Sequence, residues 1–455
     1  MNKNRKLGSN RRKPLIQVIQ MLSLLAVTIL LLAACGQAPK PSTATGNSGE
    51  SATSSDNNNK PSSNNGGSPQ DEVQEEPQEN PQDETQEEID PIKEQLQQLT
   101  LEEKVGQMIL AGVQGTTLDK EAKQMIAGQK VGGIIFYANN VTTLQGTGAF
   151  VNSIKQANQQ NPVPILMSVD QEGGKVSRMP DAVESIPSSR KVGKTNDTAL
   201  AEQMGALLAR QIKLAGFNVD FAPVLDINSN PKNPVIGDRS FGTTADLVTR
   251  MGIAEMKGLR SEGVIPVVKH FPGHGDTSVD SHLDLPVVKK TEKQLAELEW
   301  IPFQAAVKDQ AEAVMVAHIL FPKLDPNYPA SLSKVIIGDH LRGKFKYNGV
   351  VITDDLSMGA ISKNYPLNKA TIATVQAGSD ILLVAHSYES AKTIFDTLIN
   401  EVKSGKIKES RIDESVYRIL ALKQHYKLSD EQQATGDVKQ LNADIRSWRK
   451  QVDAR

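Results

Sequence analysis

The feature that most constrains this chain is a repeated alternation running from about residue 100 to about residue 428. Eight short apolar runs recur there: Met108–Gly112, Gly133–Tyr137, Pro164–Val169, Val219–Ala222, Val264–Val268, Ala313–Ala317, Val350–Thr353 and Asp380–Val384. Longer amphipathic stretches separate most of them, among them Ala199–Ala215, Ala245–Glu262, Glu292–Asp309 and Leu367–Ala377. An apolar run without polar alternation marks a strand buried on both faces, which is the condition of a strand in a parallel sheet. Eight strand-then-helix units predict an α/β fold, a single (β/α)8 barrel, with a nine-stranded open sheet as the alternative. Thr100 is placed to cap the first helix of this region, with Glu103 completing a capping box. Val416, Ile419, Leu420 and Leu422 lie at helical spacing within Asp413–Leu428, a segment expected to close the barrel.

The first 90 residues are of a different kind. Lys3, Arg5, Lys6, Arg11, Arg12 and Lys13 precede a mostly apolar stretch, Leu15 to Leu32, long enough to cross a bilayer. Its end, Leu32-Ala33-Ala34-Cys35-Gly36, places small residues before a cysteine and resembles a bacterial lipoprotein signal. That resemblance implies a signal peptide over residues 1–34, cleavage before Cys35, acylation of its thiol and export to an extracytoplasmic, membrane-anchored location. An uncleaved signal anchor is the alternative. Cys35 is the only cysteine, so no intramolecular disulfide forms. Residues 35–90 are rich in Ser and Asn, then in Glu, Gln and Pro. They cannot offset their chain entropy by burial and are expected to form a disordered tether. Its root-mean-square span would be on the order of 40 Å. The barrel is assigned to residues 91–430. The polar tail over 431–455 is expected to fray. A net charge of −2 with mixed signs gives no reason to expect a nucleic-acid partner.

Polar groups repeatedly follow the ends of the candidate strands. Asp170 follows the third, Asp226 comes shortly after the fourth, Lys269 and His270 follow the fifth, His318 the sixth and Asp354 the seventh. In a (β/α)8 barrel all strand C-termini share one face, and that face holds the active site. The densest stretch is Val267 to Asp284, which contains His270, His274 and His282 interleaved with Asp276, Asp280 and Asp284. Three chemistries compete for it. A metal site has suitable ligand types, but Pro272 and Gly273 between His270 and His274 exclude a zincin-type helix and no cysteine is at hand. A structural role suits Asp276 and Asp284, which are good turn formers, and His274 is left open. Acid–base chemistry suits Asp280-Ser281-His282: residues i and i+2 of an extended loop project to one side, so Asp280 can orient the imidazole. Asp354 is then a second, separate carboxylate able to act as nucleophile.

Five stretches in unbroken order resemble the β-N-acetylglucosaminidase branch of glycoside hydrolase family 3. They are Lys269-His-Phe-Pro-Gly-His-Gly-Asp-Thr with Asp280-Ser-His282, Val169-Asp170-Gln-Glu-Gly-Gly-Lys-Val-Ser-Arg178, Ile236-Gly-Asp-Arg239-Ser-Phe-Gly242, Ile352-Thr-Asp354-Asp-Leu-Ser-Met358 and Ala377-Gly-Ser-Asp380. The resemblance implies that Asp354 attacks the anomeric carbon and that His282, paired with Asp280, protonates the leaving oxygen and then activates water. It implies that Asp170, Arg178, Arg239, Lys269 and His270 bind the terminal N-acetylglucosamine. No cofactor and no metal are expected. Asp355 is expected to cap the following helix, and His318 and Asp226 to support the site from behind. A histidine repels a transferred phosphate less than a carboxylate does, so phosphate is kept as an alternative acceptor in place of water. The implied substrate is a terminal β-linked N-acetylglucosamine of peptidoglycan fragments or related glycans. Alternatives are a β-glucosidase of the same family and a non-catalytic sugar-binding lipoprotein, although no duplicated lobes are visible. Lys175 and Ser278 depart from the family pattern without touching the residues assigned to chemistry. About 27 residues follow Leu428, too few for the second α/β domain usual in the glucosidase and xylosidase branches, which favours the glucosaminidase branch.

Overall fold

The computed structural model describes residues 90–455; the expected signal segment, Cys35 and the tether before Asp90 lie outside the described residues. Each of the eight apolar runs contributes one strand: β1 (Ile109–Gly112), β2 (Gly133–Phe136), β3 (Leu166–Val169), β4 (Val219–Asp220), β5 (Ile265–Phe271), β6 (Ala313–Val316), β7 (Val350–Thr353) and β8 (Leu382–Val384). All neighbouring pairs are parallel, in the order β7-β6-β5-β4-β3-β2-β1-β8. The ring closes through a bridge between Ile352 and Ile381, where Thr353 N donates to Ile381 O at 3.0 Å and Ile381 N donates to Val351 O at 3.0 Å. Closure removes both sheet edges and with them the open-sheet alternative.

The helical layer follows from apolar stripes that the strands cover. Thr198–Lys213 buries Leu200, Met204, Leu207, Leu208 and Ile212, and packs beside Ala245–Ser261, which buries Val248, Met251, Met256 and Leu259. The predicted Glu292–Asp309 helix is in fact two, Glu292–Glu297 and Trp300–Lys308. Pro302 has no N–H to give and its ring clashes with the carbonyl four residues back, so a continuous helix cannot pass Leu298. The capping box at Thr100 forms as expected, with Glu103 N on Thr100 Oγ at 3.2 Å and Thr100 N on Glu103 Oε2 at 2.8 Å.

Three differences from what residue order predicts bear on the site or the packing. β5 runs through Lys269 and His270 to Phe271, so these two are strand residues and not the start of a loop. Their polarity imitates a strand end only until their buried partners are seen. The C-terminal tail does not fray: Val438–Asp453 is a helix that buries Leu441, Ile445, Trp448 and Val452, with Trp448 Nε1 donating to Leu200 O at 3.1 Å. One apolar residue per turn on a polar helix is a narrow stripe, easily lost in a mean composition. Asp355 does not cap a helix; the Gly359–Ser362 helix begins after Met358, and Asp355 Oδ1 instead accepts from Ser357 N at 2.9 Å, Ser357 Oγ at 2.7 Å and Ala385 N at 3.2 Å.

Two buried charges tie the strand N-termini at the far end of the barrel. Asp380 accepts from Val351 N at 2.9 Å, Ser415 Oγ at 2.7 Å and Arg418 Nη1 at 3.1 Å, and pairs with Arg342. Lys423, on the Glu409–His425 helix, donates to Gln107 Oε1, Gly132 O and Pro164 O at 2.7–2.8 Å, which fastens that helix to the entries of β1, β2 and β3. Burial pulls the Lys423 pKa down to about 7.

Candidate active site

The C-terminal mouth of the barrel holds a cavity of about 180 Å³, room for a single sugar ring. Asp170, Arg178, Arg239, Lys269, His270, His282 and Asp354 all line it, so residues from four strands and the loops that follow them meet there. Asp280 stands behind His282.

One wall is a buried alternation of charges. Lys269 Nζ lies 2.6 Å from Asp170 Oδ1 and 2.6 Å from Glu172 Oε1. Arg239 grips Glu172 with two parallel bonds of 2.7 Å, Nε to Oε2 and Nη2 to Oε1. Burial acts to raise the Glu172 pKa, but Arg239 and Lys269 outweigh it and hold the carboxyl well below the usual range. Burial likewise acts against the Lys269 cation, and Asp170 and Glu172 overcome it, raising that pKa. Glu172, Lys269 and Arg239 are thus held in their charged forms although buried, which orders them without mobile counter-ions. Arg239 commits Nε and Nη2 to Glu172, while its Nη1 lies 3.5 Å from Val235 O. Arg178 differs: its Nε is buried and finds no acceptor among the described residues.

A second network orients the histidines. Asp226, fully buried, accepts from His270 Nδ1 at 2.7 Å and from His274 N at 2.6 Å. A carboxylate has no proton to give, so the proton sits on His270 Nδ1 and leaves its Nε2 for the cavity. His274 is settled as a structural residue by its contacts: its ring nitrogens meet Thr277 Oγ1 at 2.9 Å and Ser281 Oγ at 3.1 Å. Burial, with His270 adding to it, pushes the His274 pKa down to about 4, so the ring is neutral near pH 7. His318 lies behind the mouth, between Ser331 Oγ at 2.6 Å and the Asp355 carbonyl at 2.9 Å.

Asp354 is the first residue after β7. Its own N–H donates to Val316 O at 2.9 Å, and its Oδ1 accepts from Asp355 N at 2.9 Å. Burial works to raise its pKa, yet His318, His270 and the Asp355 N–H together hold it below the ordinary aspartate value. The carboxylate is therefore ionised at neutral pH and fixed by backbone. His282 reaches the same cavity from the loop after β5. Its Nδ1 donates to Asp280 Oδ1 at 2.8 Å, and its N–H meets the same oxygen at 2.9 Å. The His282 side chain is 65% exposed, so its Nε2 stays open to solvent and substrate. Glycine at two positions lets this loop dock. A Cβ on Gly359 would lie 2.7 Å from His282 O, and one on Gly275 would lie 1.7 Å from Ile227 O.

Residue order assigns binding or chemistry to seven of the cavity-lining residues and gives no role to Glu172, Tyr137 or His386. Glu172 was legible in principle, because two cations destined for burial need more carboxylate than Asp170 alone supplies. Tyr137 and His386 sit just beyond β2 and β8, with ring centroids 5.1 Å apart, and obey the same strand-end rule that gathered the others.

A closed parallel barrel whose mouth joins an ionised aspartate, a carboxylate-held imidazole and an array of paired charges around a sugar-sized cavity has the make-up of a glycoside hydrolase. Residues 100–422 match the family described as "Glycosyl hydrolase family 3 N terminal domain", and the chain belongs to that family. It resembles "Beta-hexosaminidase LpqI" of Mycobacterium tuberculosis, 34% identical over 332 residues that are 71% of this chain and 83% of that protein. "Beta-hexosaminidase A" of Pseudoalteromonas piscicida is 33% identical over 332 residues, 68% of this chain but only 56% of the relative, so the chain spans little more than half of it. Among solved structures, a "glycoside hydrolase family 3 beta-N-acetylglucosaminidase from Paenibacillus sp. str. FPU-7" superimposes with a TM-score of 0.73 at 40% identity, covering 77% of this chain and 68% of that one.

Proposed function

We propose that the protein is a retaining exo-β-N-acetylglucosaminidase acting on terminal β-linked N-acetylglucosamine, with peptidoglycan fragments or related glycans as substrates. The observation that carries this reading is the convergence of Asp354 and His282 on one cavity whose wall is built from Asp170, Arg178, Lys269 and His270. Asp354 attacks the anomeric carbon and forms a covalent glycosyl-enzyme. His282, its Nδ1 proton held by Asp280, protonates the leaving oxygen through Nε2 and then takes a proton from the attacking water. Paired charges of the wall bind the ring hydroxyls in fixed positions, so little reorganisation is needed as the anomeric charge develops. The names of the relatives support N-acetylglucosamine over glucose.

A panel of aryl glycosides tests the sugar assignment. Cleavage of a chromogenic glucoside with the N-acetylglucosaminide left intact would reverse it. The role of His282 has its own signature. In His282→Ala, kcat/KM for a disaccharide is expected to fall by about 10²–10⁴-fold. An aryl glycoside with a strongly acidic phenol needs no proton at departure and should lose far less in bond cleavage. Equal losses on both substrates would remove His282 from the role of general acid.

The site of action is proposed to be the outer side of a bacterial membrane, with the chain held by lipid on Cys35. The supporting observation is the Leu32-Ala-Ala-Cys35 sequence after an apolar stretch. Radiolabelled fatty acid fed to an expressing bacterium should label the protein, and Cys35→Ala should abolish the label. Equal labelling of both would sink the anchor.

A further inference from the structure

We infer that the rim formed by Leu283, Tyr328 and Tyr365 is a binding subsite for the leaving group, and that it takes a second pyranose ring through that ring's apolar C–H face. This rests on the functional reading of Asp354 and His282 given above. Among the described residues, the exposed large apolar side chains are Val279, Leu283, Val287 and Tyr328, at 40%, 65%, 48% and 42%. Scattered singly over a surface such residues need no explanation, but these concentrate on the loops after β5 and β6, on one side of one mouth.

The rim is continuous with the loop that carries the proposed acid. Gly359 N donates to His282 O at 3.1 Å, and Lys363 Nζ donates to Leu283 O at 2.6 Å. From that same segment Tyr365 extends, its hydroxyl donating to Asn327 O at 3.2 Å, and its ring stacks on Tyr328 with centroids 6.2 Å apart and planes 28° apart. Val287 pairs with Leu320, which ties the loop after β5 to the loop that holds Tyr328.

Mechanism supplies the direction. The general acid stands on the side from which the leaving group departs. A cavity of about 180 Å³ is filled by one ring, so the remainder of any glycan lies outside it, on the side of His282. There it meets an aromatic pair and a leucine. Axial C–H bonds make one face of a pyranose apolar and weakly positive, a match for the negative face of a tyrosine ring. Tyr328 and Tyr365 contribute nothing to the cavity lining itself, so their effect falls on the leaving group and not on the sugar being transferred.

The test compares two substrates with leaving groups of similar basicity: the β-1,4-linked disaccharide of N-acetylglucosamine and the methyl β-glycoside of the same sugar. Only the first reaches the rim. In Tyr328→Ala the ratio of kcat/KM, disaccharide over methyl glycoside, is expected to fall about threefold to tenfold, the range of one aromatic contact. Leu283→Asp, at an exposed position, should lower the same ratio, while Tyr328→Phe should keep it. A ratio that is the same in wild type, Tyr328→Ala and Leu283→Asp overturns the subsite. An unchanged ratio overturns it equally when those variants alter sedimentation or binding to lipid vesicles, which would give the rim to a second copy or a membrane. A wild type that cleaves neither substrate defeats the functional reading and the subsite together, so the two failures are distinguishable.

Discussion

Asp354→Ala is expected to lower kcat/KM on β-N-acetylglucosaminides by roughly four to six orders of magnitude, the loss typical of removing a covalent nucleophile. The carboxylate is ionised by its surroundings and placed by two backbone contacts, Asp354 N to Val316 O and Asp355 N to Asp354 Oδ1. Among the described residues no other carboxylate stands in the same relation to the cavity, since Asp355 is occupied with Ser357 and Ala385 and Asp170 with Lys269. Asp354→Asn keeps an oxygen for the Asp355 N–H but no nucleophile, so it should be equally inactive while folding normally. Added azide separates the two proposed roles. With Asp354→Ala, azide enters from the vacated face and yields the α-glycosyl azide. With His282→Ala, azide attacks the glycosyl-enzyme and yields the β-azide. Substantial turnover by Asp354→Asn, or a β-azide from Asp354→Ala, would end the assignment.

Glu172→Gln is expected to destabilise the folded protein by about 3–5 kcal/mol, because it leaves the buried Arg239 without its counter-charge and Lys269 with only Asp170. Chemical denaturation at neutral pH measures this. The effect has a pH signature. Folding holds the Glu172 carboxyl below its unfolded value of about 4.3, so its contribution is complete above that value and is lost as pH falls toward the folded one. The gap between wild type and Glu172→Gln should therefore be widest near neutrality and narrow in acid. A constant gap across pH would mean that packing, not charge, makes Glu172 matter. Since Glu172 also holds Lys269 and Arg239 in place, KM should rise even under conditions where the variant is folded.

Most of the barrel and much of its mouth could be read directly from residue order. Each of the eight apolar runs became a strand, because a strand covered on both faces tolerates no polar alternation and so leaves a mark in any window of four or five residues. The strand-end rule then brought Asp170, Lys269, His270 and Asp354 together, although 184 positions separate the first from the last. What residue order did not show has identifiable reasons. Lys269 and His270 looked like a loop because polarity in sequence does not reveal a buried partner. Glu172 was passed over because its weight comes from Arg239, 67 positions away, and from Lys269. The C-terminal helix Val438–Asp453 was missed because its stripe of Leu441, Ile445, Trp448 and Val452 is one residue wide.

By itself, residue order determined the architecture, the face on which the chemistry gathers and the chemical type of the groups found there. These follow from periodicity and from side-chain chemistry, which are local properties of the chain. Only the tertiary structure decided which groups are ionised and what each one touches. Arg239 is committed to Glu172, Asp355 to a turn, His274 to Thr277 and Ser281, while Asp354 and His282 are left to face the cavity. Charge state and commitment depend on burial and on partners distant along the chain, and no local pattern encodes either.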